Sequence, residues 1–230
     1  MDKFEPDFSR LREEIGKNSA KFQAFTALLR ERNAQYNLTS ITEEDEVFHK
    51  HLLDSLAAEG VIERNARCAE VGSGAGFPSI PLKIVREDLR FTLIESTGKK
   101  CAFLREAIGL LSLGQTEVLC ARAEETGKDP AYRERFDVCV ARAVAPLATL
   151  LEYCMPLVRV GGRVIAYKGG TEETEGAMHA VRALGGKMEA PVRYELPEGY
   201  GKRALVIVKK ISPTPAVYPR GRGLERRRPL

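Results

Sequence analysis

The sequence predicts an α/β protein built on one open, mostly parallel, doubly wound sheet that follows a helical segment. Three observations carry that expectation. Strand-length apolar runs alternate with helical stretches from residue 60 onward, a glycine-rich turn follows the first such run, and the last two runs come with no helix between them.

Taken in order, Phe22 to Leu29 places its apolar residues at helical spacing. A second helical stretch runs from about Glu43 to Ala58, with Thr39-Ser40 as its capping candidate. Residues 1–59 are therefore expected as an N-terminal helical appendage and residues 60–211 as the sheet domain. Strands are expected near Cys68 to Val71, Phe91 to Glu95, Glu117 to Ala121, Phe136 to Ala141 and Gly162 to Tyr167. Helices are expected near Ser79 to Arg86, Lys99 to Leu113, shortly after Glu124, Leu147 to Val158 and Thr171 to Leu184. Two more strands, Met188 to Tyr194 and Arg203 to Lys209, follow without an intervening helix, which implies a hairpin and an antiparallel last strand. Seven strands closing in this way fit the Rossmann-like class I methyltransferase variant of the fold. A dinucleotide dehydrogenase would continue its second half as βαβ. Beyond Ile211, Pro213, Pro215 and Pro219 bar regular structure, so residues 212–230 are expected as a basic Pro/Gly/Arg-rich arm.

At 230 residues, with 43% hydrophobic and 30% charged content, the chain can bury a full core. A charged N-terminus and the lack of an apolar run of about eighteen residues point to a cytoplasmic protein with no membrane partner, expected as a monomer. The five cysteines stand singly in apolar segments without CxxC spacing and read as reduced core residues. From Arg220 to the end, five arginines face one glutamate, so this stretch equals the whole net charge of +4 and the rest of the chain is formally neutral. Such a distribution suits a flexible arm on polyanionic backbone, and suits a disordered solubilising tail as well.

The first strand runs into Glu70-Val71-Gly72-Ser73-Gly74-Ala75-Gly76-Phe77-Pro78. Glycine at alternate positions lets backbone approach a ligand, and Pro78 suits the first turn of the next helix. The spacing is GxGxG, and Glu70 stands ahead of it, where it could pair with a cationic amino-acid group. That favours S-adenosyl-L-methionine over a pyrophosphate, which prefers bare amides. Glu95, with Ser96 beside it, closes the second strand about twenty residues on, where a carboxylate can accept from both ribose hydroxyls. NAD carries the same ribose, so Glu95 indicates adenosine without choosing between the two cofactors. Arg122-Ala123-Glu124 follows the third strand, where an adenine would lie. Arg142 and Lys168 end the fourth and fifth strands on the ligand-binding edge and suit an RNA phosphate or base. His49 and His51 lie two apart on a predicted helix and cannot face one metal ion together, so no metal site is indicated. A GxSxG elbow is also absent.

These residues resemble the RsmG (GidB) family of 16S rRNA guanine-N7 methyltransferases. The resemblance rests on Tyr36-Asn37-Leu38-Thr39-Ser40, His51 to Leu56, Val71 to Leu82, Glu95-Ser96 with Lys99-Lys100, Arg122 to Glu125, Arg142-Ala143, Gly162 to Gly169, Arg203 to Lys209 and Tyr218-Pro219-Arg220. Glu70 and Glu95 stand where the family often has Asp, and Ser79 where many members have glycine. The resemblance implies methylation of N7 of a guanine in the 530 loop of 16S rRNA, position 527 in the usual rRNA numbering. It implies cofactor contacts from Gly72, Phe77, Ala123, Glu124 and Arg142, with Glu95 on the ribose; Ser73, Gly74 and Gly76 complete the loop. His51, Arg142, Lys168, Lys202, Arg203, Arg220 and Arg222 are the candidates for contact with rRNA or the small ribosomal subunit. Guanine N7 has a lone pair and no proton, so no catalytic acid or base is assigned, and alignment of the reactants can supply about 7–11 kcal/mol. An NAD-linked oxidoreductase and a non-catalytic RNA-binding or ribosome-assembly protein are the alternatives.

Overall fold

The computed structural model describes residues 4–170 and 174–230. The chain opens with α1 (Phe8–Lys17) and α2 (Ser19–Tyr36). Asp7 caps α1 by accepting from the Arg10 backbone N–H at 3.1 Å, and Leu11 and Ile15, four apart, bury its inner face. The sequence reading places no separate helix here, although Phe8, Leu11 and Ile15 fall at helical spacing. The next helical stretch is composite. It comprises α3 (Glu44–Glu46), a π-helical turn (Val47–Leu53) and α4 (Asp54–Leu56). Thr39-Ser40 does not cap it, because the helix begins four residues later behind an extended Glu43.

The sheet strands are β1 (Arg67–Val71), β2 (Arg90–Glu95), β3 (Thr116–Cys120), β4 (Phe136–Arg142), β5 (Val158–Lys168), β6 (Gly186–Met188), β7 (Val192–Leu196) and β8 (Gly201–Lys210). Between them lie α5 (Ser79–Val85), α6 (Gly98–Leu110), α7 (Ala123–Thr126), α8 (Leu147–Cys154) and α9 (Met178–Ala183), and α10 (Leu224–Arg227) lies near the C-terminus. The strand order is β3-β2-β1-β4-β5-β8-β6, with β7 also on β8. The first five strands are parallel, and β8 inserts antiparallel beside β5, as the helix-free connection predicts. The fold is the Rossmann-like class I methyltransferase sheet.

Among the described residues, eight strands replace the expected seven. The run expected over Met188 to Tyr194 is interrupted at Glu189-Ala190-Pro191, where proline cannot donate to a ladder. Its two pieces, β6 and β7, pair with opposite ends of β8. Of the helix expected over Thr171 to Leu184, residues 171–173 lie outside the described residues; the rest is a 3-10 turn (Glu175–Ala177) and α9.

Alternate residues along each strand feed two cores. Cys68, Leu93, Val140 and Leu205 face α1, α2, α5 and α6, whereas Ala69, Ile94, Ala141 and Val206 face α8 and α9. The N-terminal helices share the first core, since Phe25 packs on Phe77 at 5.3 Å and on Phe103 at 6.4 Å between ring centroids.

The C-terminal segment departs most from expectation. It is folded against α8 and not a free arm. Arg220 donates from Nε to Glu152 Oε1 at 2.9 Å and from Nη2 to Oε2 at 2.7 Å, Glu152 being fully buried. Arg133 donates to the carbonyls of Thr214 and Tyr218, and Thr149 Oγ1 donates to the carbonyl of Glu225. The prolines keep residues 212–219 out of helix and strand without excluding a fixed path held by side-chain hydrogen bonds to its carbonyls. Beyond them the expectation of no regular structure fails, since the segment forms the short helix α10.

Candidate functional site

The order β2-β1-β4 makes the chain reverse direction across the sheet at β1, so the C-terminal ends of β1 and β4 open a crevice. The glycine turn fills its floor. Gly72 and Ser73 N–H groups donate to the carbonyl of Ile94, at 2.9 and 3.3 Å, which ties the turn to β2. All three glycines have φ between +53° and +85°. Their reasons differ. A Cβ on Gly72 would lie 2.7 Å from Val144 Cγ2 and one on Gly76 2.4 Å from Ile80 Cδ1, whereas one on Gly74 would meet nothing closer than 3.8 Å. Close packing thus demands glycine at 72 and 76, and Gly74 alone keeps an open face.

Glu95 Oε2 accepts from Gly74 N–H at 3.0 Å and Oε1 from Thr97 N–H at 2.8 Å. Each oxygen keeps a further lone pair. This side chain therefore steadies the turn while facing a cavity of about 910 Å³ lined by Gly72, Gly74, Ser96, Ala123, Glu124 and Tyr153 among others. A second cavity of about 570 Å³ lies across the turn, lined by Thr39, Ser40, His51, Asp54, Phe77 and Arg142 among others. Gly72, Gly74, Lys100 and Ala143 line both.

The smaller cavity is organised around Arg142. Its Nη1 donates to Asp54 Oδ2 at 3.1 Å and to the Lys50 carbonyl at 2.9 Å, and its Nη2 lies 2.9 Å from His51 Nδ1. Because arginine only donates, Nδ1 is the acceptor. The His51 proton then sits on Nε2, 2.8 Å from Thr39 Oγ1. Burial, reinforced by the Arg142 charge, pushes the imidazole pKa down to about 3, so it is neutral near pH 7. The ring stacks on Phe77 at 4.3 Å. Tyr194 donates its hydroxyl to Asp54 Oδ1 at 2.9 Å.

Glu70 is fully buried, and neither carboxyl oxygen has a hydrogen-bond partner. Burial pushes its pKa up to about 8, against smaller opposing effects from Ser79, Ser73 and Arg142. A carboxylate with spare lone pairs beside the open Gly74 face fits an adenosyl ligand. Glu70, fully buried, protonated near pH 7 and lining neither cavity, does not meet the expectation that it pairs with a cationic amino-acid group.

A family model described as rRNA small subunit methyltransferase G matches residues 18–190. Ribosomal RNA small subunit methyltransferase G of Pelotomaculum thermopropionicum is 47% identical over 218 residues, 93% of this chain and 91% of its own. Its namesake in Acetivibrio thermocellus is 45% identical over 212 residues, 91% and 88% of the two chains. The chain belongs to the rRNA small subunit methyltransferase G family.

Solved structures agree on the fold. MtNAS in complex with MTA and tNA aligns with a TM-score of 0.55 at 18% identity over 81% of this chain and 71% of its own. A predicted O-methyltransferase, Atu636 of Agrobacterium tumefaciens, aligns at 0.54 with 22% identity, over 71% and 81%.

In this methyltransferase G family member, the expected cofactor residues divide. Gly72, Gly74, Glu95, Ser96, Ala123 and Glu124 line the larger cavity. Ser73, Phe77 and Arg142 line only the smaller one, and Glu70 and Gly76 line neither. The expected RNA residues divide too. His51, Arg142, Lys168 and Arg203 line the smaller cavity, Arg220 and Arg222 the larger, and Lys202 is exposed outside both. Several are already engaged: Lys168 Nζ donates to the Ala145 carbonyl at 3.0 Å, and Arg220 is held by Glu152. His51, being neutral, cannot ion-pair with phosphate. Lys100, on the first turn of α6 and lining both cavities, is a site residue that the sequence reading does not single out; its place after a strand-end acid is the available signal. Tyr153 and Arg226 had no local signal, because the folded C-terminal segment completes the cavity they line.

Proposed function

We propose that this protein transfers the methyl group of S-adenosyl-L-methionine to N7 of a guanine in the 530 loop of 16S rRNA. One observation carries the reading. Two cavities meet across Gly72 and Gly74, one with an adenosine-type carboxylate and one with cations and an aromatic ring. Family membership favours this over an NAD-linked oxidoreductase or a non-catalytic assembly protein.

Glu95 is suited to hold the ribose hydroxyls, and Ala123 and Glu124 to flank the base. S-adenosyl-L-methionine supplies an electrophilic methyl group when bound. Guanine N7 presents a lone pair and loses no proton, so the chain's residues need only bind, orient and keep water away. The smaller cavity suits an unstacked base from a loop or a partly assembled particle, whose N7 edge is reachable as it is not in an A-form groove. Arg142, locked by Asp54 and His51, is a rigid donor for such a base, and Lys168 and Arg203 offer charge near its phosphates.

The test is incubation with methyl-labelled S-adenosyl-L-methionine and unmodified 16S rRNA or small subunits, followed by mass-spectrometric mapping. Label on N7 of a 530-loop guanine is expected. Label elsewhere would change the target, and cofactor binding without transfer would overturn the reading.

A further inference from the structure

The outer wall of the larger cavity comes from the C-terminus, a segment whose composition suggested RNA. Gly221, Arg222, Gly223 and Arg226 line that cavity beside Tyr153. Their position is fixed from several sides. The Arg220 N–H also donates to buried Glu152, at 2.8 Å, and Gly221 N–H donates to the carboxylate of Glu225, itself fully buried. Lys128 Nζ donates to the Arg220 carbonyl at 3.2 Å, which joins this turn to the stretch just after α7. Residues 221, 222 and 223 have φ of +80°, +57° and +74°. Arg222 is thus held in a left-handed conformation that non-glycine residues rarely adopt, a kind of strain that gathers at ligand clamps. Its side chain is exposed, and among the described residues no acid pairs with its guanidinium.

Glu95 and Ala121–Glu125 line the same cavity as this turn. A ribose held at Glu95 directs its base toward the residues after β3, and those residues abut the C-terminal turn. We infer that Arg220–Gly223 is the outer wall of the base-binding half of this cavity, with the Arg222 guanidinium lying against the purine of the methyl donor. The segment then belongs to the small-ligand site and not to an RNA arm. A planar guanidinium over an aromatic face is a favourable pairing, and stronger where water is excluded. This inference rests on reading the cavity as an adenosyl site.

Calorimetry with S-adenosylhomocysteine tests it on three proteins: the full chain, Arg222→Ala, and a chain ending at Pro219. Arg222→Ala is expected to weaken binding roughly 3- to 30-fold, with the unliganded unfolding midpoint unchanged. The truncation is expected to lose at least tenfold. Because truncation frees Glu152 and can unfold the protein, Arg222→Ala is the deciding variant. Full-chain affinity in Arg222→Ala overturns the inference, as does a truncation that binds S-adenosylhomocysteine normally and loses only rRNA. If the full chain itself does not bind S-adenosylhomocysteine, the adenosyl reading falls and this inference with it.

Discussion

At the scale of single residues, the glycine turn separates two demands that its spacing merges. Gly72 has no room for a side chain, since Val144 stands where its Cβ would go. Gly72→Asp adds bulk, a left-handed strain and a charge at the junction of both cavities. It is expected to lower stability by roughly 1–3 kcal/mol and to abolish S-adenosylhomocysteine binding, both readable in one thermal-shift titration. Glu70 makes a different prediction. Its folded pKa of about 8 lies above the ordinary value of 4.5, so the folded state holds a proton that the unfolded state gives up. The stability tied to that proton is complete below pH 4.5 and drains as pH rises toward 8, by at most about 1.4 kcal/mol per pH unit. Urea midpoints should fall with pH more steeply for the natural chain than for Glu70→Gln. Parallel slopes for the two would show that Glu70 is not a buried acid.

At the scale of elements, the π-helical turn Val47–Leu53 decides the shape of the smaller cavity. Such a turn leads into Asp54 and sets His49 against Tyr200, at 4.2 Å, while His51 meets Phe77. Sequence reading placed a helix here and saw that the two histidines could not converge. The extra residue in the turn was not legible, because it answers to contacts with β4 and β7 and not to local propensity. The parallel strands were legible because burial on both faces leaves continuous apolar runs, and the antiparallel end because no helix separates the last two runs. The break at Pro191 is also legible in the chain, since proline cannot donate to a ladder. His51→Ala removes the acceptor that Arg142 Nη2 requires and the donor to Thr39. An unmet buried donor costs about 1–3 kcal/mol, so kcat/KM on rRNA should drop roughly 5- to 100-fold while affinity for S-adenosylhomocysteine changes less than about threefold. Equal losses in both would place His51 at the cofactor instead.

At the scale of the molecule, three segments that composition set apart converge on one site. Residues 38–41 with Lys50, His51 and Asp54 line the smaller cavity, the strand ends hold the glycine turn, and the C-terminal turn closes the larger cavity. No local pattern announces such convergence, since ion pairs such as Arg142 to Asp54 and Arg220 to Glu152 span 88 and 68 residues. This convergence also sorts the cations by role. Arg142 lies with its charge against Asp54, so a phosphate gains little from it, whereas Lys202 is exposed and free to release counterions. Each phosphate contact to single-stranded RNA adds about 0.7 to the slope of log affinity against log salt. Lys202→Ala should therefore flatten that slope by about 0.7 and leave S-adenosylhomocysteine affinity unchanged. Arg142→Gln should leave the slope nearly unchanged and lower kcat, because what it removes is a positioned donor and not a phosphate contact. Filter binding of a 530-loop fragment between 50 and 200 mM salt reads both slopes. A drop for Arg142→Gln as large as that for Lys202→Ala would mean that Asp54 does not hold this charge and that the base-facing role of Arg142 is mistaken.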